Sequence, residues 1–329
     1  MKDKITLAHG NGGRLMHELI KRLCLKFSNK ILDEMADAAE LEVSKKSLAF
    51  STDSYVIKPL FFPGGDIGKL AVCGTVNDIS MKGATPLFIS LAFIIEEGLP
   101  ISVLDKITQS IKEAAKKAKV LVVTGDIKVV EKGAADKIFI NTSGIGVIDH
   151  SGRHIGAKAK AGDAIIINGP IAEHGMAILN AREKFGFVSN IKSDCRNLNF
   201  EVRKCLRASR NISVLRDPTR GGLATTLNEI ADSSNLGIEI HEDKIPIRPS
   251  VKKMCDILGF DPLYVANEGK FISFVSAKDA QKVRRALGGS ARVIGQVVSG
   301  HKKSVHLNTK IGSSRILQTL ESDQLPRIC

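Results

Sequence analysis

Three aspartates lie in short stretches of the kind that hold a metal–phosphate unit: Asp53 in STDS, Asp78 in GTVNDIS and Asp126 in VTGDIK. Each follows an apolar run that reads as a strand, and each has Gly, Ser or Thr beside it. Three converging carboxylates suit Mg2+, a hard cation that takes oxygen ligands and bridges to phosphate. One aspartate beside Ser or Gly more often just closes a turn; the threefold recurrence favours the metal. Two backbone signals accompany them. GNGGR, with Gly10, Asn11, Gly12 and Gly13, can turn several N–H groups toward an anion, and Arg14 adds charge. DPTRGGL places Arg220, Gly221 and Gly222 at the start of a helix, where free N–H groups attract phosphate. A tight turn competes as the reading of that glycine pair. Glu268 in ANEGK and Lys128 in DIKVVE are candidate proton-transfer groups, although either alone reads as a solvated charge. The sequence closes on LPRIC, with the thiol of Cys329 as its last side chain.

Other chemistries fail on spacing. PGGDIGKL has Pro63 and Leu70 where a phosphate-binding P-loop needs Gly and Ser or Thr. GIGVID lacks the third glycine of a dinucleotide fingerprint, and HELIK has Lys21 where a second zinc-binding His belongs. The six cysteines (Cys24, Cys73, Cys195, Cys205, Cys255 and Cys329) are scattered, with no CxxC pair, so reduced and mostly buried thiols are expected.

The elements that must position these residues are mixed. Strands are expected at 47–54, 86–95, 120–126, 137–148, 163–169 and 270–276, with helices near 15–27, over 104–118 and from Gly222. No regular alternation of strand and helix appears, so the fold class is α+β. With 329 residues, two domains are expected. We place an N-terminal segment with the glycine loop at 1–38, an N-terminal domain at 39–150, a C-terminal α+β domain at 151–304, and a tail at 305–329. The polar, Gly-rich stretch at 150–163 marks the boundary.

Composition narrows the class. The chain is 43% hydrophobic with 5% aromatic residues and no Trp, so Ile, Val, Leu and Ala must build the core. The longest apolar run, PLFISLAFII, is far below the roughly 20 residues a membrane span needs. The opening residues hold no apolar signal region, and a cytoplasmic protein is expected. The net charge of +13 permits nucleic-acid binding, but the charge is dispersed and aromatic stacking platforms are scarce. A basic protein that handles phosphate compounds, with no nucleic acid and no membrane as partner, fits better.

AHGNGGR, STDSYVIKPLFFPGGDIGKLAVCGTVNDISMKGA, VTGDIKVVEKG, FINTSGIGV, DPTRGGLATTLNEIA, ANEG and PRIC run in order across nearly the whole chain. Together they resemble the HypE family of hydrogenase-maturation carbamoyl dehydratases, part of the larger aminoimidazole ribonucleotide synthetase (PurM-like) family. VND and DPTRGG are shared widely in the larger family; PRIC and FFPGGDIG are more specific. One departure is Ile127, where the family usually has Thr in its GD-x-K motif.

The resemblance implies a two-domain PurM-like fold. Its N-terminal α/β domain would form a homodimer with a barrel-like sheet and ATP near the interface. The C-terminal sheet would pack on helices, and a flexible tail would follow. Cys329 would be a carrier, loaded with a carbamoyl group by the carbamoyltransferase HypF. ATP would drive dehydration to a thiocyanate, and the cyano group would pass to iron on a HypC–HypD scaffold complex. Gly10, Asn11, Gly12, Gly13, Asn77, Arg220, Gly221 and Gly222 would bind ATP and its phosphates. Asp53, Asp78 and Asp126 would hold Mg2+, Glu268 would act as base, and Lys128 would stabilise the developing phosphate charge. Selenophosphate synthetase would need a reactive Cys or Sec and a Lys in the loop at 9–14, where neither stands. Thiamine-phosphate kinase or the synthetase itself would not need Cys329.

Overall fold

The computed structural model describes residues 4–6, 9, 14–29, 47–148, 155–156, 158–183, 190–319, 325 and 328. Gly10, Asn11, Gly12 and Gly13 lie outside the described residues, as do Cys329, residues 30–38 of the N-terminal segment, and residues 150–154 and 157 of the boundary stretch.

The first half is built on a four-stranded sheet. Its strands are β1 (Leu48–Tyr55), β4 (Ala84–Glu96), β5 (Leu121–Val130) and β6 (Ile138–Ile148), in the order β1-β6-β4-β5. The short strands β2 (Phe61–Phe62) and β3 (Gly65–Asp66) pair with each other. The helices are α1 (Arg14–Phe27), α2 (Ile67–Met81) and α3 (Ile101–Ala118). Helix α3 shows the expected amphipathic spacing, with Leu104, Ile107, Ile111, Ala114, Ala115 and Ala118 buried.

Helix α2 departs from the sequence reading, which took the run before Asp78 for a strand. Thirteen of its residues are buried, so it is apolar on every side and shows no 3.6-residue period. Asp66 starts it, accepting from the N–H groups of Gly68 (2.7 Å) and Lys69 (3.1 Å). Three glycines let it sit low on the sheet. A Cβ at Gly144 or Gly146 of β6 would lie 2.6 or 2.4 Å from Ile79, and one at Gly74 would lie 2.2 Å from the Tyr55 hydroxyl.

The second half carries a seven-stranded sheet in the order β13-β12-β9-β11-β7-β10-β8. These strands are β7 (Asp163–Ile167), β8 (Ile212–Arg216), β9 (Gly237–His241), β10 (Ile272–Ser276), β11 (Arg292–Val298), β12 (Val305–Asn308) and β13 (Ser314–Leu317). Helices α4 (Glu173–Glu183), α5 (Asn199–Ala208), α6 (Gly222–Ser234), α7 (Pro249–Leu258) and α8 (Ala280–Leu287) accompany it. Residues 305–317, expected to begin a tail, are instead two strands of this sheet. Val305, Leu307 and Leu317 are buried. Four-residue strands carry too few alternations to be recognised from sequence. One apolar core joins the halves: Ile5, Val72 and Ile111 belong to the same buried cluster as Ile165, Leu223 and Ile328.

Replacing Gly146→Val should drive a branched side chain into Ile79 and cost about 1–3 kcal/mol of stability. The melting temperature should fall, and adding Ile79→Ala should restore part of it by reopening the space.

Candidate functional site

Strand register decides which of the predicted carboxylates meet. Asp53 on β1 pairs across the sheet with Thr142, then Leu91, then Gly125. Asp126 on β5 lies in the neighbouring row, with Ala92, Asn141 and Ser54. Adjacent rows point to opposite faces. Asp53 therefore faces α2, whereas Asp126 faces outward, three strands away or about 14 Å. Lys128 shares the outward face and pairs with Asp126 at 2.8 Å, both side chains being exposed. Burial opposes only weakly, and the hydrogen bond from Lys128 holds the Asp126 carboxyl below its usual range. Within one chain, Asp126 and Lys128 do not join the other site residues.

The remaining carboxylates gather where α2 and β1 meet β8 and α6. A cleft of about 560 Å3 opens there, lined by Ser51, Asp78, Asp217, Thr219, Arg220 and Glu229 among others. Ser51 donates to Asp78 at 2.8 Å, and the Tyr55 hydroxyl donates to Asp53 at 3.2 Å. Burial, then the charges of Asp217 and Asp53, push the Asp78 carboxyl up to about 7. Burial likewise pushes Asp217 up to about 6, with Asp53 adding to it. Crowded carboxylates that raise one another's pKa are suited to a cation. Among the described residues no three of these groups surround a single point as a complete metal centre. The set therefore fits Mg2+ in its usual manner, bound through one or two carboxylates with water and phosphate completing the octahedron. Asp78 and Asp217 offer those oxygens at the cleft, with Asp53 just behind.

Above the carboxylates, α6 starts at Gly222. Gly221 and Gly222 have φ of 70° and 63°, a left-handed geometry that favours glycine. A Cβ at Gly222 would also lie 2.6 Å from the Leu263 carbonyl oxygen. Arg220 lines the cleft at this helix start, as the phosphate reading requires. Asn77 does not line it. Its amide donates to the carbonyls of Arg196 (3.1 Å) and Glu268 (3.4 Å), and its oxygen accepts from Leu198 N–H (2.8 Å). That side chain ties α2 to two loops of the other half rather than offering itself to phosphate.

Glu268 lies deeper, with its side chain buried. Its carboxyl is pushed well above the usual range by burial first, then by Asp194, Asp217, Cys73 and Asp53. The sequence reading cast it as a base; the shift in this direction favours its protonated form. The ANEGK motif around it is a clasp. The Ala266 carbonyl accepts from Gly175 N–H at 3.1 Å, and the Asn267 side chain binds the N–H of Ala172 and the carbonyl of Pro218, both at 2.8 Å. A Cβ at Gly269 would fall 1.8 Å from the Asp194 carbonyl oxygen. Asp194 accepts from the backbone N–H groups of Glu268 and Gly269, each at 3.1 Å. Lys270, almost fully buried, bridges Asp194 and Glu173 at 3.0 Å each. Cys73 and Cys195 are buried free thiols. The hydrogen bond between them, and then burial, push the Cys195 thiol well up, so it is a poor nucleophile.

Sequence reasoning missed Asp217, Asp194, Lys270, Glu173 and His174. Asp217 stood inside the DPTRGG stretch, where attention went to Arg220 and the glycines. Lys270 stood inside ANEGK, where attention went to Glu268; the other three had no local signal, because their partners are distant in sequence. His174 is fully buried, with one ring nitrogen 2.7 Å from Ser193 Oγ and the other 2.6 Å from the carbonyl oxygen of Ile328.

Comparison with known proteins bears on the whole chain. The N-terminal domain family of AIR synthase related proteins matches residues 35–148, and the corresponding C-terminal domain family matches 160–308. Carbamoyl dehydratase HypE of Azotobacter vinelandii is 46% identical over 332 residues, covering 99% of this chain and 97% of that protein. A solved structure of hydrogenase maturation protein HypE in complex with ATP aligns with a TM-score of 0.95 and 46% identity, over 98% of this chain and 99% of the other. A solved HypE–HypF complex aligns with a TM-score of 0.81 and 48% identity, over 94% and 100%. The two-domain fold expected from the motifs is thus borne out. A carboxylate-lined cleft, a buried glutamate behind it and likeness along the full length lead to one assignment: the chain belongs to the HypE family of carbamoyl dehydratases, within the AIR synthase related proteins.

Proposed function

We propose that this chain dehydrates a carbamoyl group carried on the Cys329 thiol to a thiocyanate, using ATP, and so supplies a cyano ligand for hydrogenase iron-centre assembly. The observation that carries the reading is the burial of Ile328, with its carbonyl on His174. The residue next in sequence is Cys329; His174 feels the charge of Asp194, and Asp194 in turn holds the Glu268 N–H. The nucleotide would occupy the cleft, its phosphates at the start of α6 beside Arg220 and at Gly10, Asn11, Gly12 and Gly13. Asp78 and Asp217 would hold Mg2+, with Asp53 behind them adding negative charge, and the ion supplies charge neutralisation for phosphoryl transfer when bound.

The amide oxygen of S-carbamoyl-cysteine attacks the γ-phosphorus of ATP, and ADP leaves. The oxygen becomes a phosphate ester, with one amide proton lost. The C–O bond then breaks, phosphate departs with its electron pair, and the second N–H proton is removed as C≡N forms. Glu268 takes the first of these protons once the neighbouring carboxylates are neutralised and it can ionise, and the departing phosphate carries off the second.

Asp126 and Lys128 enter this reading from a second copy. The outward face of the first sheet carries Leu48, Phe50, Ile94 and Leu121, all more than 40% exposed, and among the described residues β1 and β5 are its edge strands. A homodimer closing these faces into a barrel buries them and delivers the outward Asp126–Lys128 pair toward the partner's cleft. Lys128 there meets the transferring phosphate. HypF as the loading enzyme, a HypC–HypD scaffold as the acceptor, and a cytoplasmic location complete the proposal. The HypE–HypF complex supports the first of these. Among the described residues no helix is long and apolar enough to cross a membrane.

Intact-mass spectrometry with the carbamoyltransferase, carbamoyl phosphate, Mg2+ and ATP tests the chemistry. Glu268→Gln should load normally and dehydrate at least about 100-fold more slowly, and Cys329→Ser should take no adduct. An unloaded Cys329 in the unaltered protein, with active transferase, would remove the central claim. The raised pKa of Asp78 has a stability consequence in metal-free buffer. The unfolded carboxyl ionises near 4, whereas the folded one holds its proton to about 7, so this group lowers stability as pH rises through that window. Asp78→Asn should therefore raise the melting temperature at pH 7.5 more than at pH 4, while weakening Mg-ATP binding about tenfold. Phe50→Glu should sediment as a single chain at concentrations where the unaltered protein is a dimer.

A further inference from the structure

The carbonyl of Ile328 can only accept a hydrogen bond, so the His174 Nε2 atom 2.6 Å away must carry the ring proton. His174 Nδ1 is then the acceptor, and the Ser193 hydroxyl donates to it at 2.7 Å. Ser193 Oγ in turn accepts from Cys195 N–H at 3.0 Å, which leaves its own proton free for the imidazole. The tautomer is thus set by a chain running from the 193–195 loop to Ile328. Burial lowers the His174 pKa, against the pull of Asp194 and the Ile328 carbonyl, and keeps the ring neutral. The edge of Phe62 meets the ring at 89°, with centroids 5.7 Å apart, and fixes its plane.

The next residue of α4 completes a seat. Gly175 has no side chain where Leu325 packs; a Cβ there would lie 3.2 Å from Leu325 Cδ1 and 2.5 Å from Val265. Leu325 and Ile328 are both almost fully buried. The Tyr264 hydroxyl donates to the Gln318 carbonyl at 2.7 Å where the chain leaves β13. The loop that orients His174 is the loop that orients the chemistry: Asp194, between Ser193 and Cys195, holds the N–H groups of Glu268 and Gly269. Ser193 N–H donates to the Pro63 carbonyl at 2.8 Å, so the loop is anchored on the first half as well.

We infer that His174 is a positioning residue: with Ser193 and Gly175 it seats Leu325 and Ile328, and so presents the carrier thiol to Glu268. The inference rests on the carrier reading of Cys329 for its consequence, but the seat is measurable without it. His174 acts through the backbone of Ile328. Its loss should leave loading unchanged and slow the dehydration step, which needs Ile328 seated.

The test uses the full chain with His174→Leu, His174→Gln and Leu325→Ala. Hydrogen–deuterium exchange of the peptide ending at Cys329 reads seating. Single-turnover mass spectrometry reads dehydration of preloaded protein. His174→Leu should speed exchange about tenfold or more, the scale expected for a buried carbonyl that loses its partner, and slow dehydration by a similar factor with loading unchanged. In His174→Gln the side-chain amide can still donate to Ile328, and most of both values should return. Leu325→Ala perturbs the segment rather than the domain and should reproduce both changes with the fold intact. Unchanged exchange in His174→Leu and Leu325→Ala overturns the seat. Faster exchange with undiminished dehydration overturns the positioning role. If Cys329 takes no carbamoyl group in the unaltered protein, the dehydratase reading fails, and exchange alone still decides the seat.

Discussion

One buried carboxylate organises the junction between the two halves. Burial alone would lift the pKa of Asp194, but the charge of Lys270 and the hydrogen bond from the Glu268 N–H outweigh it and hold the group below its usual range. Asp194 is therefore an anion inside the protein. It spends that charge on Lys270 and on two backbone N–H groups. Glu173 completes the neutralisation of Lys270 from α4. Removing one partner from such a buried pair costs about 3–5 kcal/mol, and on that scale the 193–195 loop, the ANEGK clasp and the start of α4 are locked together.

From this lock the chemistry of the site follows by electrostatics. Burial, the Asp194 anion and the cleft carboxylates together shift Glu268 toward its protonated form. Asp78 and Asp217 share the same strain nearer the opening. The site is short of positive charge, although the chain as a whole carries +13. Arg220 and the N-terminus of α6 offer some compensation at one end. Cation and nucleotide together would provide the rest, and they would turn Glu268 from a donor into an acceptor. Binding would thereby prepare the group that the following step needs.

Two features adjoin the Asp194 lock. The cleft between α2 and α6 opens on Asp78, Asp217 and Arg220. At the start of α4, Ile328 bonds to His174 and Leu325 packs where Gly175 has no side chain. Asp126 and Lys128 stand apart, on the outward face of the first sheet.

Local chemistry made part of this legible in the sequence. The α+β class, helix α3 and most long strands follow from periodicity, because one face is wet and the other dry. Asp53, Asp78, Arg220 and Glu268 were marked by glycines and hydroxyls beside them, since close backbone approach leaves its trace in residue type. Helix α2 was misread because burial on all sides erases the pattern that water imposes. Strands β12 and β13 were missed because four residues hold too little pattern. Only the tertiary structure decided which aspartates meet: Asp53 and Asp126 look alike in sequence, yet pleat and strand order send them to opposite faces. It alone supplied Asp194, Lys270, Glu173 and His174, whose roles depend on partners far away along the chain. Ion pairs and buried hydrogen bonds act through space, and their energy is set by a burial that no short stretch of sequence contains.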